Sequence, residues 1–134
     1  MSEPDVELTL PAEPESVVLA RQMVRGLVDH LGWGDESRND ISIAVTEACT
    51  NAVLHAYPEG RGEYGVSAWV APERLVVSVR DQGQGISPRV ESAAAGLGLG
   101  LPLMLAIADE VSFTSDAEGA TEVRLSFSPM PERD

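Results

Sequence analysis

The 134-residue sequence predicts an α+β fold, a two-layer sandwich in which three helices cover one face of a mixed, mainly antiparallel sheet. The strand-like segments come in two pairs, and only a few residues separate the members of each pair, as in hairpins. A doubly wound parallel sheet would instead alternate single strands with helices. We expect one domain over residues 1–134, with its core at about residues 6–127.

The first strand and the first helix have clear boundary signals. Apolar and polar residues alternate from Val6 to Leu10, which is typical of a strand with one covered face, and Pro11 ends the pattern. Pro14 suits the first turn of a helix, and apolar positions at helical spacing continue from Val17 to Leu31. Gly32 then predicts the C-terminal end of this helix.

A second helix follows after a short connection. We expect Asp35 or Ser37 to cap it and Trp33 to pack on its first turns. Its predicted buried stripe consists of Ile41, Val45, Ala48, Ala52 and Ala56. The small residues of this stripe allow a sheet or a ligand to approach closely, and the turn-forming residues 58–62 end the helix.

Two hairpins and a third helix complete the predicted fold. The runs Tyr64–Ala71 and Leu75–Arg80 predict the first antiparallel hairpin, because their connection is short. Leu101–Ala108 predicts a helix with a proline in its first turn. Glu110–Ser115 and Thr121–Phe127 predict the second hairpin.

The composition excludes several classes of function. The chain has 22 acidic and 9 basic residues and a formal net charge of -13, which argues against direct nucleic-acid binding. All the basic residues are arginines, so a Walker-A site, Schiff-base chemistry and the lysine of a eukaryotic-type kinase site are excluded. A phosphate site in this chain must therefore use backbone N–H groups, a metal ion or arginine.

The single cysteine and the N-terminal residues bear on location. Cys49 has no partner for an intrachain disulfide, which favours a reducing compartment. The first residues lack the pattern of a signal peptide, and no apolar run approaches the length of a membrane span. We therefore expect a soluble cytoplasmic protein without a membrane association, in which Cys49 and His55 are packing residues.

A carboxylate and an amide lie four residues apart in the second helix. The helical period places Glu47 and Asn51 on one face of this helix. Such a pair is common on a solvated helix face, but the same pair could also form a functional site. The pair alone leaves both interpretations open.

Two glycine-rich segments follow the first hairpin. Residues 81–85, Asp-Gln-Gly-Gln-Gly, have neither the spacing of a dinucleotide-binding fingerprint nor the carboxylates of a calcium loop, and a simple turn would account for them. Gly96, Gly98 and Gly100 come just before a helix. Free N–H groups and the positive end of a helix dipole favour an anion at that position, and phosphate is the usual one.

These three segments together resemble the anti-sigma-factor serine/threonine kinases. That family is a branch of the ATPase superfamily that includes histidine kinases, the ATPase domains of type II topoisomerases and DNA mismatch-repair proteins. The resemblance covers roughly Val17 to Phe127, with three motifs in the same order. It implies a single histidine-kinase-like ATPase domain with the Bergerat-type ATP-binding fold, and ATP and Mg²⁺ as cofactors.

The resemblance assigns roles to the helix motif and to the first glycine motif. Glu47 and Asn51 match the family's general base and magnesium ligand. Asp81 matches the aspartate that accepts a hydrogen bond from the adenine amino group. Gly83 and Gly85 match the positions that let the chain pass close to the base.

The later segments match with one departure. Gly96, Gly98 and Gly100 match the second glycine motif, whose amides hold the phosphates. Thr121 resembles the threonine of a late Gly-Thr pair near the adenine, although Ala120 intervenes here.

The resemblance implies an ATP-binding anti-sigma factor that phosphorylates an anti-anti-sigma antagonist protein and, in its other state, sequesters a sigma factor. It also allows a homodimer. The loop Ile86–Ala95, which corresponds to the family's lid over the triphosphate, is short and has Arg89 as its only cation. Nucleotide binding is therefore better supported than catalysis. The sequence leaves open a non-catalytic ATP-binding partner-switch module, the detached ATPase domain of a histidine kinase, and a nucleotide-independent interaction domain.

Overall fold

The computed structural model describes residues 2–56, 62–81, 100–117 and 119–130, with side chains to residue 54 in the first of these ranges. In chain order the elements are β1 (Val6–Pro11), α1 (Pro14–Leu31), α2 (Asp35–Asn51), a π-helical turn (Ala52–Ala56), β2 (Glu63–Ala71), β3 (Arg74–Asp81), α3 (Gly100–Ile107), β4 (Glu110–Ser115) and β5 (Thr121–Phe127). Both predicted hairpins and all three predicted helices are present. The α+β class is confirmed.

The five strands form one sheet in the order β1-β2-β3-β5-β4. Each described pair of neighbours is antiparallel, whereas the sequence predicted a mixed, mainly antiparallel sheet. The difference arises because the chain enters the far edge of the sheet as β4 after α3. The hairpin turn then returns β5 to the place beside β3, which makes that pairing antiparallel as well.

The helices pack on one face of this sheet. The side chains of the central strand β3 alternate between this covered face and the opposite face. Leu75, Val77 and Val79 belong to the hydrophobic core. Their neighbours in this core include Val24, Val28, Val45, Val66, Ala68, Val123, Leu125 and Phe127, which come from α1, α2, β2 and β5. The alternate positions of the sheet combine apolar side chains such as Val76 with polar ones such as Ser78, and the Arg124 guanidinium lies over the Trp69 ring at 5.1 Å. The predicted two-layer arrangement is therefore confirmed.

The predicted ends of α1 are confirmed. Pro14 is its first residue, and Gly32 follows its last residue in a left-handed conformation with φ of 71°. The Gly32 N–H donates to the carbonyl oxygen of Asp29, which satisfies one of the carbonyl groups at the helix end.

The predicted side-chain cap of α2 is wrong. This helix begins at Asp35, and Gly34 precedes it with φ of 96°, a conformation that a residue with a side chain rarely adopts. Glycine thus directs the chain into the helix, and no side-chain cap forms there. The Ser37 hydroxyl oxygen instead accepts the Met130 N–H at 3.2 Å.

Trp33 and the π-helical turn complete the helical layer. The Trp33 ring packs partly buried against the core, and its indole N–H donates to the carbonyl oxygen of Pro72 at 3.1 Å. The sequence did not predict that the helix changes to a π turn after Asn51. Within the described ranges, no helix combines the length and the apolar character that crossing a bilayer requires.

Gly26 and Gly32 provide a matched pair for testing α1. Gly26 is exposed inside the helix, and a Cβ there would meet nothing within 4 Å. Gly26→Ala should therefore raise the free energy of unfolding by about 0.5–1 kcal/mol. Gly32→Ala should lower it by about 1 kcal/mol, because alanine is strained at a positive φ. Urea unfolding measures both, and a stabilising Gly32→Ala would contradict the helix end described here.

Candidate functional site

Glu47 and Asn51 lie where α2 meets the first residue of α3. A Cβ added to Gly100 would lie 3.3 Å from Glu47 Oε1, 3.6 Å from Asn51 Oδ1 and 3.7 Å from Asn51 Nδ2. The last glycine of the second predicted motif is therefore in contact distance of both members of the predicted helix pair. Gly100 is buried there, while Glu47 and Asn51 are each half-buried.

The amide oxygen of Asn51 has a feature that is unusual for a buried polar atom. Asn51 Oδ1 is inaccessible to solvent and accepts no hydrogen bond within the part of the chain that the structure describes, a property it shares there with Thr46 Oγ1 and the Nε atoms of Arg38 and Arg124. Nearly all buried acceptors in proteins have a partner, so this atom requires an explanation. Oxygen atoms of this kind are ligands that Mg²⁺ accepts.

The surrounding residues fit a magnesium site of one particular type. Among the described residues, no group of three or more His, Cys, Asp and Glu side chains could hold a metal ion. Mg²⁺ is commonly held by one or two protein ligands together with water and substrate phosphates, so it does not need such a group. The single orphaned oxygen of Asn51 fits that pattern.

The first turn of α3 adds hydrogen-bond donors next to this pair. The first N–H groups of a helix have no partner within the helix. Within the described residues α3 begins at Gly100, and because Pro102 lacks an N–H, the N–H groups of this turn belong to Gly100, Leu101 and Leu103. The helix dipole makes this end positive. An anion such as phosphate would thus be stabilised within reach of Glu47 and Asn51.

Asp81 and Thr121 come together at the end of the sheet. Asp81 is the last residue of β3, is 6% exposed, and lies on the same face as Val77 and Val79. Its partner on β5 is Thr121. Ala120, which interrupts the expected Gly-Thr pair, is buried at 3% exposure, and the register still places Thr121 opposite Asp81.

Tyr64 is a neighbour of this pair that the sequence did not single out. It lies opposite Asp81 on β2, and its hydroxyl forms a buried hydrogen bond of 2.7 Å with Ser16 Oγ at the start of α1. Burial raises the pKa of Tyr64 to about 12, and the bond with Ser16 opposes this shift. The alternating pattern of β2 could have predicted the burial of Tyr64, because Tyr64 lies on the same buried face as Val66 and Ala68.

The π-helical turn connects the two parts of the site. It begins at Ala52, directly after Asn51, and contacts β3, the strand that ends at Asp81. Ala52 and Val53 are buried in this contact region. The Glu47–Asn51 face and the Asp81–Thr121 pair are therefore supported by adjoining elements on one side of the sheet.

The remaining predicted site residues have separate outcomes. Gly83, Gly85, Gly96 and Gly98 lie outside the described residues, as does the loop 86–95, so their roles stay predictions. Cys49 is fully buried in the core, and this burial raises the pKa of its thiol to about 12. The thiol therefore stays protonated near neutral pH, and the predicted packing role of Cys49 agrees with this position. The His55 side chain is also outside the described residues.

Known proteins with similar sequences point to one family. The model of the histidine kinase-like ATPase domain family matches residues 10–127. The chain is 46% identical over 79 residues to the Serine-protein kinase RsbW of Bacillus velezensis, across 58% of this chain and 49% of that relative. The chain thus spans about half the length of the curated relatives it matches.

Solved structures with the same fold agree with this assignment. The structure of the RsbU and RsbW domains of Rv1364c from Mycobacterium tuberculosis is similar at a TM-score of 0.66 and 27% identity, over 92% of this chain and 31% of that chain. The SiaB-SiaC complex from Pseudomonas aeruginosa matches in fold at a TM-score of 0.70 and 14% identity, over 93% of this chain and 90% of that chain. The family match spans all the described helices and strands except the first residues of β1, and it confirms the resemblance seen in the sequence motifs: the chain belongs to the histidine kinase-like ATPase domain family.

Proposed function

We propose that this chain binds Mg·ATP between α2 and α3 and phosphorylates a serine or threonine of an anti-anti-sigma antagonist protein. In its other state it sequesters a sigma factor in the cytoplasm, and it can act as a homodimer. One observation carries the proposal: Gly100, at the N-terminus of α3, lies against both Glu47 and Asn51. The similarity to the Serine-protein kinase RsbW supports the class of reaction.

The proposal gives each candidate residue a role. Asn51 holds the magnesium ion through Oδ1, the buried oxygen without a hydrogen-bond partner among the described residues. Held there, Mg²⁺ would supply positive charge that offsets the negative charge of the phosphates. The first turn of α3 and the glycines Gly96, Gly98 and Gly100 donate N–H groups to the phosphates.

The adenine and the acceptor hydroxyl are placed at opposite parts of the site. Asp81 accepts a hydrogen bond from the adenine amino group, with Thr121 beside it and Gly83 and Gly85 close to the base. Glu47 accepts the proton of the serine or threonine hydroxyl as the phosphoryl group is transferred. Its carboxylate forms no ion pair with any residue of the described ranges, so it is available as a proton acceptor.

A second candidate function is a non-catalytic ATP-binding partner-switch module. It is favoured by one observation, which is that Arg89 is the only cation in the loop 86–95. A missing transition-state cation can lower a phosphoryl-transfer rate by about a thousandfold, while binding through amides and Mg²⁺ survives. Transfer of phosphate to the antagonist protein would favour the kinase, and ATP binding without transfer would favour the non-catalytic module.

The Asn51 side chain provides the test of metal-dependent binding. At a hundred times its dissociation constant, Mg·ATP should raise the free energy of unfolding of the native chain by about 2.7 kcal/mol. Asn51→Ala should lose the part of this increase that depends on Mg²⁺. The measurement is thermal unfolding with ATP, in the presence of Mg²⁺ and in the presence of a chelator.

The matched control for this test is Asn39→Ala. Asn39 is exposed on the same helix and accepts a weak hydrogen bond from Arg25. Its removal should leave the effect of Mg·ATP unchanged. If Asn51→Ala keeps the full magnesium-dependent increase, Asn51 is not the metal ligand.

Gly100 provides a steric test of the same site. The Cβ of Gly100→Ala would lie 3.3 Å from Glu47 Oε1, a close contact that displaces the Glu47 carboxylate from its present position. We expect ATP affinity to fall about tenfold, equivalent to about 1.4 kcal/mol. Isothermal titration calorimetry measures the affinity, with Gly26→Ala as the glycine control on α1. Unchanged affinity in Gly100→Ala would show that this contact does not shape the nucleotide site.

Glu47 provides the test of catalysis. Glu47→Gln keeps the size of the side chain but removes the base, so phosphotransfer to the antagonist should fall about 10²- to 10⁴-fold. ATP affinity should stay nearly the same. The control is Glu36→Gln on the exposed first turn of α2, which should transfer phosphate at the native rate. An antagonist phosphorylated equally well by Glu47→Gln would exclude Glu47 as the base.

A further inference from the structure

A second concave surface lies at the end of the α2–α3 pair that is remote from Gly100. It encloses about 130 Å³ between the first half of α2, the last residues of α3 and the end of β5. Asp40, in its lining, precedes Glu47 by seven residues, which corresponds to about 10 Å along the helix. We call this surface the α2–α3 groove. It is separate from the proposed nucleotide site.

The floor and walls of the α2–α3 groove are apolar. They are formed by Ile41, Ala106, Ile107, Phe127 and Met130. Ile41 and Phe127 are 3% and 2% exposed, so they form a fixed floor, while Ala106 and Met130 lie at the open side. A closed cavity of about 150 Å³ lined only by apolar side chains can hold benzene, whereas this groove of similar volume is open on one side and also has polar lining residues. The groove therefore has room for one aliphatic side chain of the size of leucine.

The rim of the groove is polar and acidic. Among the described residues, Ser37, Asp40 and Ser128 complete the lining, and none of the described lining residues is an arginine. The Ser128 hydroxyl donates to a carboxylate oxygen of Asp109 at 2.6 Å, which places a second carboxylate at the rim. An occupant that fits this surface has an apolar side chain next to a positive charge.

Charge also decides which kind of occupant fits. A second copy of this chain has 22 acidic and only 9 basic residues, so its surface offers few positive charges to an acidic rim. The residues that follow Met130 are Pro-Glu-Arg-Asp, with two acidic side chains and one basic. Both are therefore poorer matches for an acidic rim than a basic segment of another protein.

We propose that the α2–α3 groove binds a basic segment of a partner protein. The segment inserts one aliphatic side chain between Ile41 and Ile107 and places an arginine or lysine beside Asp40 and Asp109. Because the groove lies about 10 Å from Glu47, this binding is compatible with nucleotide in the site. The groove thus provides a partner contact that is independent of phosphotransfer.

The peptide acetyl-Arg-Leu-Arg-amide is a direct probe of the groove. It should produce saturable shifts in the NMR signals of the Ile41, Ile107 and Met130 methyl groups. Acetyl-Arg-Ser-Arg-amide lacks the aliphatic side chain, and acetyl-Asp-Leu-Asp-amide reverses the charge, so both should bind much more weakly. The experiment uses the full chain without ATP, so its result does not depend on the kinase proposal.

Three variants locate the binding. Ala106→Trp fills the open side of the groove and should abolish the shifts, whereas Leu105→Trp, at an exposed position on the same helix that does not line the groove, should bind like the native chain. Asp40→Asn changes only the charge and should weaken binding about two- to fivefold. The difference between Asp40→Asn and the native chain should decrease at high salt.

Several results would overturn the proposal. Absence of saturable shifts with the basic peptide, or equal binding of the acidic one, would exclude a basic partner segment. If removal of residues 131–134 is needed before the peptide binds, the chain's own C-terminal residues occupy the groove. Methyl shifts that change on dilution without peptide would identify a second copy as the occupant.

Discussion

The close approach of α3 to α2 at Gly100 is the constraint on which the proposed site depends. A Cβ at this position would press on the Glu47 carboxylate and reach contact distance of the Asn51 amide beneath the start of α3. The proposed base, the proposed metal ligand and the N–H groups at the start of α3 thereby lie around one contact. The sheet fixes this geometry indirectly, since the π-helical turn after Asn51 contacts β3. Binding and catalysis are therefore supported by the same contact between two helices.

Much of the fold was predictable because local signals and tertiary packing agree. Alternation gave the strands of both hairpins, and Pro14 and Gly32 gave the ends of α1. The start of α2 was not predictable, since Gly34 and the polar residues after it are equally good signals for a helix start, and only the backbone angle of 96° distinguishes them. The register that returns β5 beside β3 depends on long-range pairing, which local patterns do not contain.

Only the local part of the candidate site was predictable from the sequence. The four-residue spacing of Glu47 and Asn51 is a local property of a helix, and it placed them on one face. Their contact with Gly100 joins residues about fifty positions apart and follows only from the packing of α2 on α3. The pairing of Asp81 with Thr121 is likewise a matter of register, and Ala120 obscured it in the sequence. The α2–α3 groove has no sequence signal, since its apolar residues look like ordinary core positions.

The π-helical turn has a consequence for how the chain can vary. A π turn includes one more residue than an α turn, and each residue of an α-helix rotates the following ones by about 100°. The turn at Ala52–Ala56 therefore departs from the angular period of α2 directly after the face that carries Glu47 and Asn51. Insertions or deletions after Asn51 can be absorbed there while the orientation of the upstream face is preserved. The turn thus allows the length of the chain after Asn51 to change without rotating Glu47 and Asn51 out of their shared face.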